Sequence, residues 1–286
     1  MRREILAARA PETLTWARFE HKLLLREEEA LALEIAVADR LPLKLFPCGE
    51  ATRIVTLYLD RRDGLLHRHA LEGRGAHLRV RVKGFFAAPA SADRVLLGPL
   101  GEANAAPANQ VLEASVPTPG LALEVKRRRG RLTRKERVWC LPAELPALLA
   151  GVDDPRTRSI GLHRLLPGAR PLCVVGYVRR VYEDPSGTLR VTIDRRLGRA
   201  RAGTAELMRL AAGLPPEVPA TPDAPVVAEI KHLGPLPAWS AAKAGQAEAH
   251  FSKLLWALST LFAAEDESRR SARPPRGTGG PAGAAP

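Results

Sequence analysis

The amino-acid sequence predicts an α+β fold in which helices flank an antiparallel β-sheet with one charged face. Three observations lead to this prediction. Several segments alternate charged and apolar residues with the period of two that is typical of strands, and residues 77–86, HLRVRVKGFF, are the clearest case. Residues 172–183 and 188–194 flank the turn sequence DPSG, which predicts an antiparallel hairpin. Residues 26–40 and 239–263 instead have apolar residues at helical spacing.

The composition is that of a globular chain. The 286 residues are 45% hydrophobic and 26% charged, which excludes a largely disordered protein, a collagen and a coiled coil. No apolar run reaches the roughly 18 residues of a membrane helix, and the N-terminus has no continuous apolar segment typical of a secretory signal. The three cysteines, Cys48, Cys140 and Cys173, are widely spaced. We therefore expect reduced thiols and a cytoplasmic location.

The elements follow one another with no internal repeat and no convincing linker. We expect one domain over residues 16–265, between an N-terminal arm or short helix at 1–15 and a disordered Pro/Gly/Arg-rich tail at 266–286. In the first long helix, Leu31, Ile35 and Ala38 have helical spacing. A further β-like stretch lies near 110–116. Strands are predicted at 17–25, 53–60, 77–86, 121–127, 133–140, 172–183, 188–194 and 226–232, and helices at 26–40, within 142–165, at 204–212 and at 239–263.

The charge indicates a polyanionic partner. Lys and Arg total 44 against 31 Asp and Glu, a net charge of +13, and the pI is about 10.4. Such a balance is typical of proteins that bind nucleic acid, a membrane surface or a polyphosphate compound. In the predicted strands the charges fall at every second position, on one face of the sheet, and cations outnumber carboxylates. These positions are Arg18/Glu20/Lys22, Arg79/Arg81/Lys83, Glu124/Lys126, Lys135/Arg137, Tyr177/Arg179, Arg190/Thr192/Asp194 and Glu229/Lys231.

Two architectures satisfy this pattern. One is an open sheet whose basic face is solvated. The other is a closed barrel with a charged interior, which is tolerated only if the charges are paired or bind a ligand. A barrel of about eight strands has room for a small ligand. Its basic interior with a few carboxylates would suit a chain of phosphates held with a divalent metal. The pattern alone leaves both architectures open.

Eight segments, in this order, resemble a known family. Together they span most of residues 16–262, and their order and spacing are more specific than any one of them. The resemblance is to the vacuolar transporter chaperone (VTC) domain, the polyphosphate polymerase branch of the triphosphate tunnel metalloenzymes. The segments are RFEHKLLL at 18–25, TLYLD at 56–60, LRVRVKGF at 78–85, LEVKRRRG at 123–130, GYVRRVYED at 176–184, LRVTIDRRL at 189–197, VVAEIKHLGPLPAW at 226–239 and HFSKLLWAL at 250–258.

The resemblance implies a fold, an activity and a site. The fold is an antiparallel β-barrel, or tunnel, with a charged interior and flanking helices. The activity is transfer of the ATP γ-phosphate onto a growing polyphosphate chain. Glu229 is expected to bind Mn²⁺ or Mg²⁺; Glu20 and Glu124 either assist that metal or pair with neighbouring cations, and pairing is favoured. The catalytic cations implied are Lys22, Arg79, Arg81, Lys126, Arg179 and Arg190, and the additional phosphate ligands are Lys135, Lys231 and Lys253.

Some positions distinguish the branches or depart from the family. The adenylate cyclase/thiamine triphosphatase branch opens with Glu-x-Glu-x-Lys, whereas this chain has Arg18 in place of the first acid, which favours the polymerase branch. Lys83 stands where a neutral or aromatic residue is expected, and Leu254 stands where an aromatic often follows Ser-Lys. Asp60 and Asp194 are expected to be turn caps at strand ends.

Three functions remain open at this stage: an ATP-dependent polyphosphate polymerase, a hydrolase of triphosphate or nucleoside triphosphates in the same tunnel, and a non-catalytic polyphosphate-binding module. No nucleic-acid partner is expected. The basic run at 127–137, RRRGRLTRKER, is better explained as a solvated hairpin tip, and aromatics make up only 5% of the chain, which leaves few platforms for base stacking. The sequence does not show whether a membrane partner exists.

Overall fold

A computed structural model of the chain describes residues 12–14, 19–47, 49–61, 63–64, 66, 76–88, 120–129, 132–240 and 251–262. The tail at 266–286, the stretch at 110–116, Arg18 and most of the predicted arm lie outside these residues.

The alternating segments form one sheet, as predicted. Among the described residues it has nine strands, every neighbouring pair is antiparallel, and their order is β1-β6-β5-β4-β3-β7-β8-β9-β2. The short edge strand β1 lies within the arm and was not predicted. The strands are β1 (Glu12–Leu14), β2 (Phe19–Leu25), β3 (Ala51–Asp60), β4 (Ala76–Ala87), β5 (Leu121–Arg129), β6 (Leu132–Cys140), β7 (Arg170–Glu183), β8 (Leu189–Arg201) and β9 (Val226–His232).

The sheet is strongly curved, but a closed barrel is not confirmed. Within the described ranges no backbone pairing joins the edge strands β1 and β2. The charged face is nevertheless concave, because Lys126 of β5 interacts electrostatically with Glu20 and Lys22 of β2. Five strands, β4, β3, β7, β8 and β9, separate β5 from β2 in the sheet order.

Helices cover the outer, apolar face of the sheet. The helix α1 (Glu27–Ala38) packs over β2, β8 and β9. Over the other half of the sheet pack α2 (Leu145–Leu149), α3 (Pro155–Ser159), two 3₁₀ turns and α4 (Thr204–Ala211). These elements confirm the short helices predicted after β6 and the small helix after β8.

The helix α5 (Lys253–Leu261) instead packs on the concave face. Its Leu254 and Leu258 contact the apolar end of that face around Val175 and Val227. Ser252 caps its first turn by accepting a hydrogen bond from the backbone N–H of Leu255 at 3.4 Å. The predicted helix at 239–263 is thus confirmed over its C-terminal part, and 241–250 lie outside the described residues.

The buried side of α1 differs from the side that the sequence indicated. Leu31 and Ile35 are 43% and 39% exposed, whereas Leu33 and Glu34 are buried. The reason is that Glu34 has buried partners on the sheet: it accepts hydrogen bonds from Arg195 and from the Tyr182 hydroxyl. A carboxylate with such partners can occupy an interior position that apolar periodicity assigns to solvent.

The structure bears on the expectations about the cysteines and about membrane-spanning helices. Cys140 and Cys173 are buried and unpaired, as expected for reduced thiols, while Cys48 lies outside the described residues. In the part of the chain that the structure describes, no helix has both the length and the apolar composition to cross a membrane.

Candidate phosphate-binding site

The strand register places the predicted site residues on one face. Residues directly opposite in neighbouring strands share a face, and Lys126 lies opposite both Arg79 and Lys135. On the other half of the sheet, Lys22 lies opposite Glu229. The residues brought to the concave face are Glu20 and Lys22 of β2, Arg79 and Arg81 of β4, Lys126 of β5, Lys135 of β6, Arg179 of β7, Arg190 of β8, Glu229 and Lys231 of β9, and Lys253 at the start of α5.

Glu124 is the centre of a buried ion cluster. It is fully buried and accepts hydrogen bonds from Arg81 Nε at 2.6 Å and Arg137 Nη2 at 2.6 Å, and Lys135 Nζ lies 2.9 Å away. Burial alone would raise the pKa of this carboxyl, but the surrounding cations hold the pKa well below its usual value. Glu124 is therefore ionised and fully engaged by cations, so the pairing role favoured from the sequence is confirmed.

Asp194 is the centre of a second cluster. Arg179 binds it bidentately at 2.5 and 2.7 Å, and Lys253 Nζ lies 2.6 Å from its Oδ2 atom. The expectation of a strand-end turn cap is wrong for Asp194, because β8 continues to Arg201 and the carboxylate is wholly buried. The expectation is confirmed for Asp60, which accepts backbone hydrogen bonds from the following loop.

Lys253 joins the helix α5 to this cluster. Burial alone would lower the pKa of Lys253, but Asp194 and Glu229 hold the pKa above its ordinary value. The neighbouring residue Ser252 accepts a hydrogen bond from Arg79 Nη1 at 3.0 Å. The N-terminus of α5 is thus bound to both halves of the charged face.

Glu229 and Glu20 form the third group of carboxylates. Lys231 donates to Glu229 at 2.8 Å, and Lys22 lies 2.9 Å from Glu20. Burial and mutual repulsion act to raise the pKa of Glu20, but the lysines hold the pKa below its usual value. Burial acts in the same direction on Glu229, and Lys231, Lys253 and neighbouring cations lower the pKa of Glu229 well below normal. Both side chains are therefore carboxylates at neutral pH.

This pair of carboxylates has the donor chemistry of a Mg²⁺ or Mn²⁺ site. Glu20 and Glu229 lie close enough to repel each other. Mg²⁺ is commonly bound through one or two carboxylates, with water and substrate phosphates completing its coordination. The described residues contain no group of three or more His, Cys, Asp or Glu that could hold a metal by themselves. The pair fits a metal that arrives with a phosphate ligand.

Two interior lysines differ from the other cations. Within the described ranges, the side chains of Lys83 and Lys126 have neither an ion pair nor a hydrogen bond. A carboxylate contacts each of seven other cations, namely Lys22, Arg81, Lys135, Arg179, Arg190, Lys231 and Lys253. Burial lowers the pKa of Lys126 to about 8, and burial also lowers that of Lys135 to about 8. The carboxylates on this face are thus too few to neutralise its cations.

Several contacts on this face were not predicted. Arg190 donates to Glu183 at 2.7 Å, and Lys44 also binds Glu183, at 2.5 Å. Tyr177 lies under two cations: Arg179 is 5.3 Å and Lys253 is 4.8 Å from its ring centroid. The period-two spacing of Tyr177 and Arg179 was the available signal for the tyrosine. No local sequence pattern predicts that Glu183 forms these ion pairs.

The described cations of the basic run at 127–137 lie on both faces of the hairpin. Lys135 and Arg137 point to the concave face and bind Glu124. Arg127 and Arg134, which alternate with them, both bind Glu136. Strand alternation therefore divides these four cations between the two faces of the hairpin.

Comparison with known proteins gives only distant similarities. No protein-family model matches the chain, and no curated protein is detectably similar to it in sequence. Among solved structures, a protein from Bacillus halodurans proposed to be an adenylate cyclase is 10% identical over 83% of this chain and 96% of that chain, with a TM-score of 0.41. A protein from Vibrio parahaemolyticus with the same proposed activity is 8% identical over 79% and 80% of the two chains, with a TM-score of 0.38. A Pyrococcus horikoshii protein is 11% identical over 80% and 85%, with a TM-score of 0.37. Identities and TM-scores this low assign neither a family nor an activity.

Proposed function

We propose that the protein is a phosphotransferase that binds ATP and polyphosphate on its concave face and transfers the ATP γ-phosphate onto the polyphosphate chain. The observation that carries the proposal is the excess of half-buried and buried cations on this face, which includes two lysines without a carboxylate partner, Lys83 and Lys126. Burying unpaired cations is costly, and a polyanion would supply the missing counter-charge. The resemblance of the eight sequence segments to the polyphosphate polymerase branch selects phosphate chains among the possible polyanions.

The same proposal includes a tunnel. The interaction of Lys126 with Glu20 across the concave face supports a sheet whose two ends face each other around the ligand. The helix α5 would cover part of that opening, since Lys253 contacts Asp194 and Ser252 accepts a hydrogen bond from Arg79. A phosphate chain in such a space would be shielded from water, which strengthens its interactions with the surrounding cations.

The chemistry needs alignment and charge neutralisation rather than a protein nucleophile. The attacking group would be an ionised terminal oxygen of the acceptor chain, which requires no activation by a base. Arg79, Arg81 and Arg179 would bind non-bridging oxygens, because a planar guanidinium matches two phosphate oxygens at once. Lysines would stabilise the charge that develops on the leaving group.

Glu229, assisted by Glu20, would hold Mn²⁺ or Mg²⁺. The metal would neutralise phosphate charge when bound. In that state the lysines that now contact the two carboxylates would be free to bind phosphate oxygens. Lys231 is the clearest case, because it lies 2.8 Å from Glu229 and 3.8 Å from Glu20.

The direct test is incubation of the purified protein with ATP and Mn²⁺, with and without a short polyphosphate primer. Products are resolved on a gel stained for polyphosphate, and free phosphate is assayed in parallel. We expect polymer and ADP from the wild type and little polymer from Glu229→Gln. Arg158→Gln is a matched control, because it removes a charge from an exposed ion pair in α3, and it should retain wild-type activity.

The other outcomes assign the protein differently. Free phosphate without polymer would identify a hydrolase, in which water replaces the acceptor chain. Tight binding of tripolyphosphate with neither product would identify a binding module. No binding of tripolyphosphate would refute the phosphate-chain site altogether.

A further inference from the structure

Lys83 is a buried cation that the resemblance does not explain. It lies on β4 in phase with Arg79 and Arg81, so its side chain shares their face. It is only 7% exposed. Its Nζ atom lies 5.7 Å from the centroid of the Phe85 ring.

The neighbours of Lys83 are small, and no carboxylate among the described residues forms an ion pair with it. Its neighbours across the sheet are the small residues Thr56 and Ala122. The charged groups that face it are Glu124, Arg81, Arg179 and Lys135. The acid among them, Glu124, is already bound by Arg81, Lys135 and Arg137.

This environment resembles that of Lys126, the other interior lysine without a carboxylate partner. Burial lowers the pKa of Lys83 well below its ordinary value. The attraction of Glu124 opposes this shift, and the facing cations Arg81, Arg179 and Lys135 add to it. A buried lysine in such a position weakens the folded state unless an anion joins it. Its presence is explained if the anion is the ligand of the concave face.

We propose that Lys83, together with Arg81 and Arg179, forms an additional phosphate-binding position on the concave face, which takes one phosphoryl group of a bound polyphosphate chain. The inference rests on the proposed function, because it assumes that the concave face binds such a chain. A phosphoryl group at this position would supply the negative charge that favours the protonated form of the Lys83 amine.

The test compares Lys83→Met, which removes the amine but keeps the length of the side chain, with Lys83→Arg, which keeps the charge. Tripolyphosphate and orthophosphate are titrated calorimetrically into each full-length variant, and thermal unfolding is measured without ligand. Arg158→Gln again serves as the control for loss of one positive charge outside the site.

We expect Lys83→Met to weaken tripolyphosphate binding at least about tenfold, as is typical for loss of a hydrogen bond between charged groups. The ligand-free variant should unfold at a higher temperature than the wild type, because an unpaired buried amine has been removed. Lys83→Arg keeps the positive charge and should bind tripolyphosphate more tightly than Lys83→Met. If Lys83 had only a structural role, its replacement would not both raise the unfolding temperature and lower the affinity for tripolyphosphate.

Three results would overturn the inference. Lys83→Met that folds and binds tripolyphosphate within twofold of the wild type would exclude Lys83 from the site. Weaker binding of orthophosphate alone would show that the position takes free phosphate rather than a chain. If the wild type fails to bind tripolyphosphate, the proposed function fails and the inference fails with it; if the wild type binds and Lys83→Met binds equally, only the inference fails.

Discussion

Neutralising Glu124 tests whether the concave face has more cations than its carboxylates can neutralise. The side chain is fully buried, and Arg81, Lys135 and Arg137 contact it at 2.6–2.9 Å. At an effective dielectric constant of about 20, two opposite unit charges about 4 Å apart attract each other by about 4 kcal/mol, and three such attractions offset the several kcal/mol that burying one carboxylate costs. Glu124→Gln keeps the shape, loses the charge and leaves three cations without a shared partner.

We expect Glu124→Gln to lower the free energy of unfolding by about 3–5 kcal/mol, the usual cost of removing one partner from a buried ion pair. Urea unfolding measured with and without tripolyphosphate checks this. At a ligand concentration of 100 Kd the wild type should gain about 2.7 kcal/mol. The variant should gain more at the same concentration, because its released cations bind the ligand more tightly.

The control is Glu217→Gln, which changes an exposed carboxylate 3.7 Å from Arg209 and should alter stability by no more than about 0.5 kcal/mol. The reasoning is refuted if Glu124→Gln costs less than about 1 kcal/mol, or if tripolyphosphate stabilises the variant less than the wild type.

Three further predictions follow from the same contacts. Arg79→Ala should reduce turnover about a hundredfold or more, by analogy with loss of an oxyanion donor, with unchanged circular dichroism; near-normal turnover would exclude the assigned role. Glu34→Gln should destabilise the fold by about 3–5 kcal/mol in urea unfolding, because Arg180 and Arg195 lose their shared buried carboxylate, and a loss below about 1 kcal/mol would show that this pairing is unimportant. Tripolyphosphate affinity should fall about a hundredfold between pH 7 and pH 9. Lys126 and Lys135 each have a pKa of about 8 without ligand, so each changes from about 90% to about 10% charged over that interval, whereas the bound polyanion favours the charged form. A tripolyphosphate affinity that does not depend on pH in calorimetry would contradict this.

The sheet was predictable because its signal is local. Alternation in HLRVRVKGFF fixes which side chains of β4 share a face, and a one-residue shift in register would have moved the whole charged set to the opposite face. The same alternation separates Lys135 and Arg137 from Arg127 and Arg134, although the run looks uniformly basic in the sequence. The local period therefore identified most of the charged residues of the concave face before any contact was known.

What the sequence did not predict depends on pairing over long distances along the chain. Glu34 is buried because Arg195 and Tyr182 meet it from other elements, and no periodicity within α1 contains that information. Asp194 looked like a strand end because the alternation fades after it, whereas β8 continues past a residue with positive φ, Arg196. Closure of the sheet likewise depends on contacts between distant parts of the chain. A strand has the same alternating sequence pattern in an open sheet and in a barrel.

The most direct measurement of the central claim is a crystal structure of the protein with tripolyphosphate and Mn²⁺, with anomalous scattering used to locate the metal. The account predicts phosphate density on the concave face, with oxygens bound by Arg79, Arg81 and Arg179, and an anomalous peak beside Glu229. Tripolyphosphate bound only on the outer surface, with the ion clusters around Glu124 and Asp194 unchanged and no peak near Glu229, would contradict it.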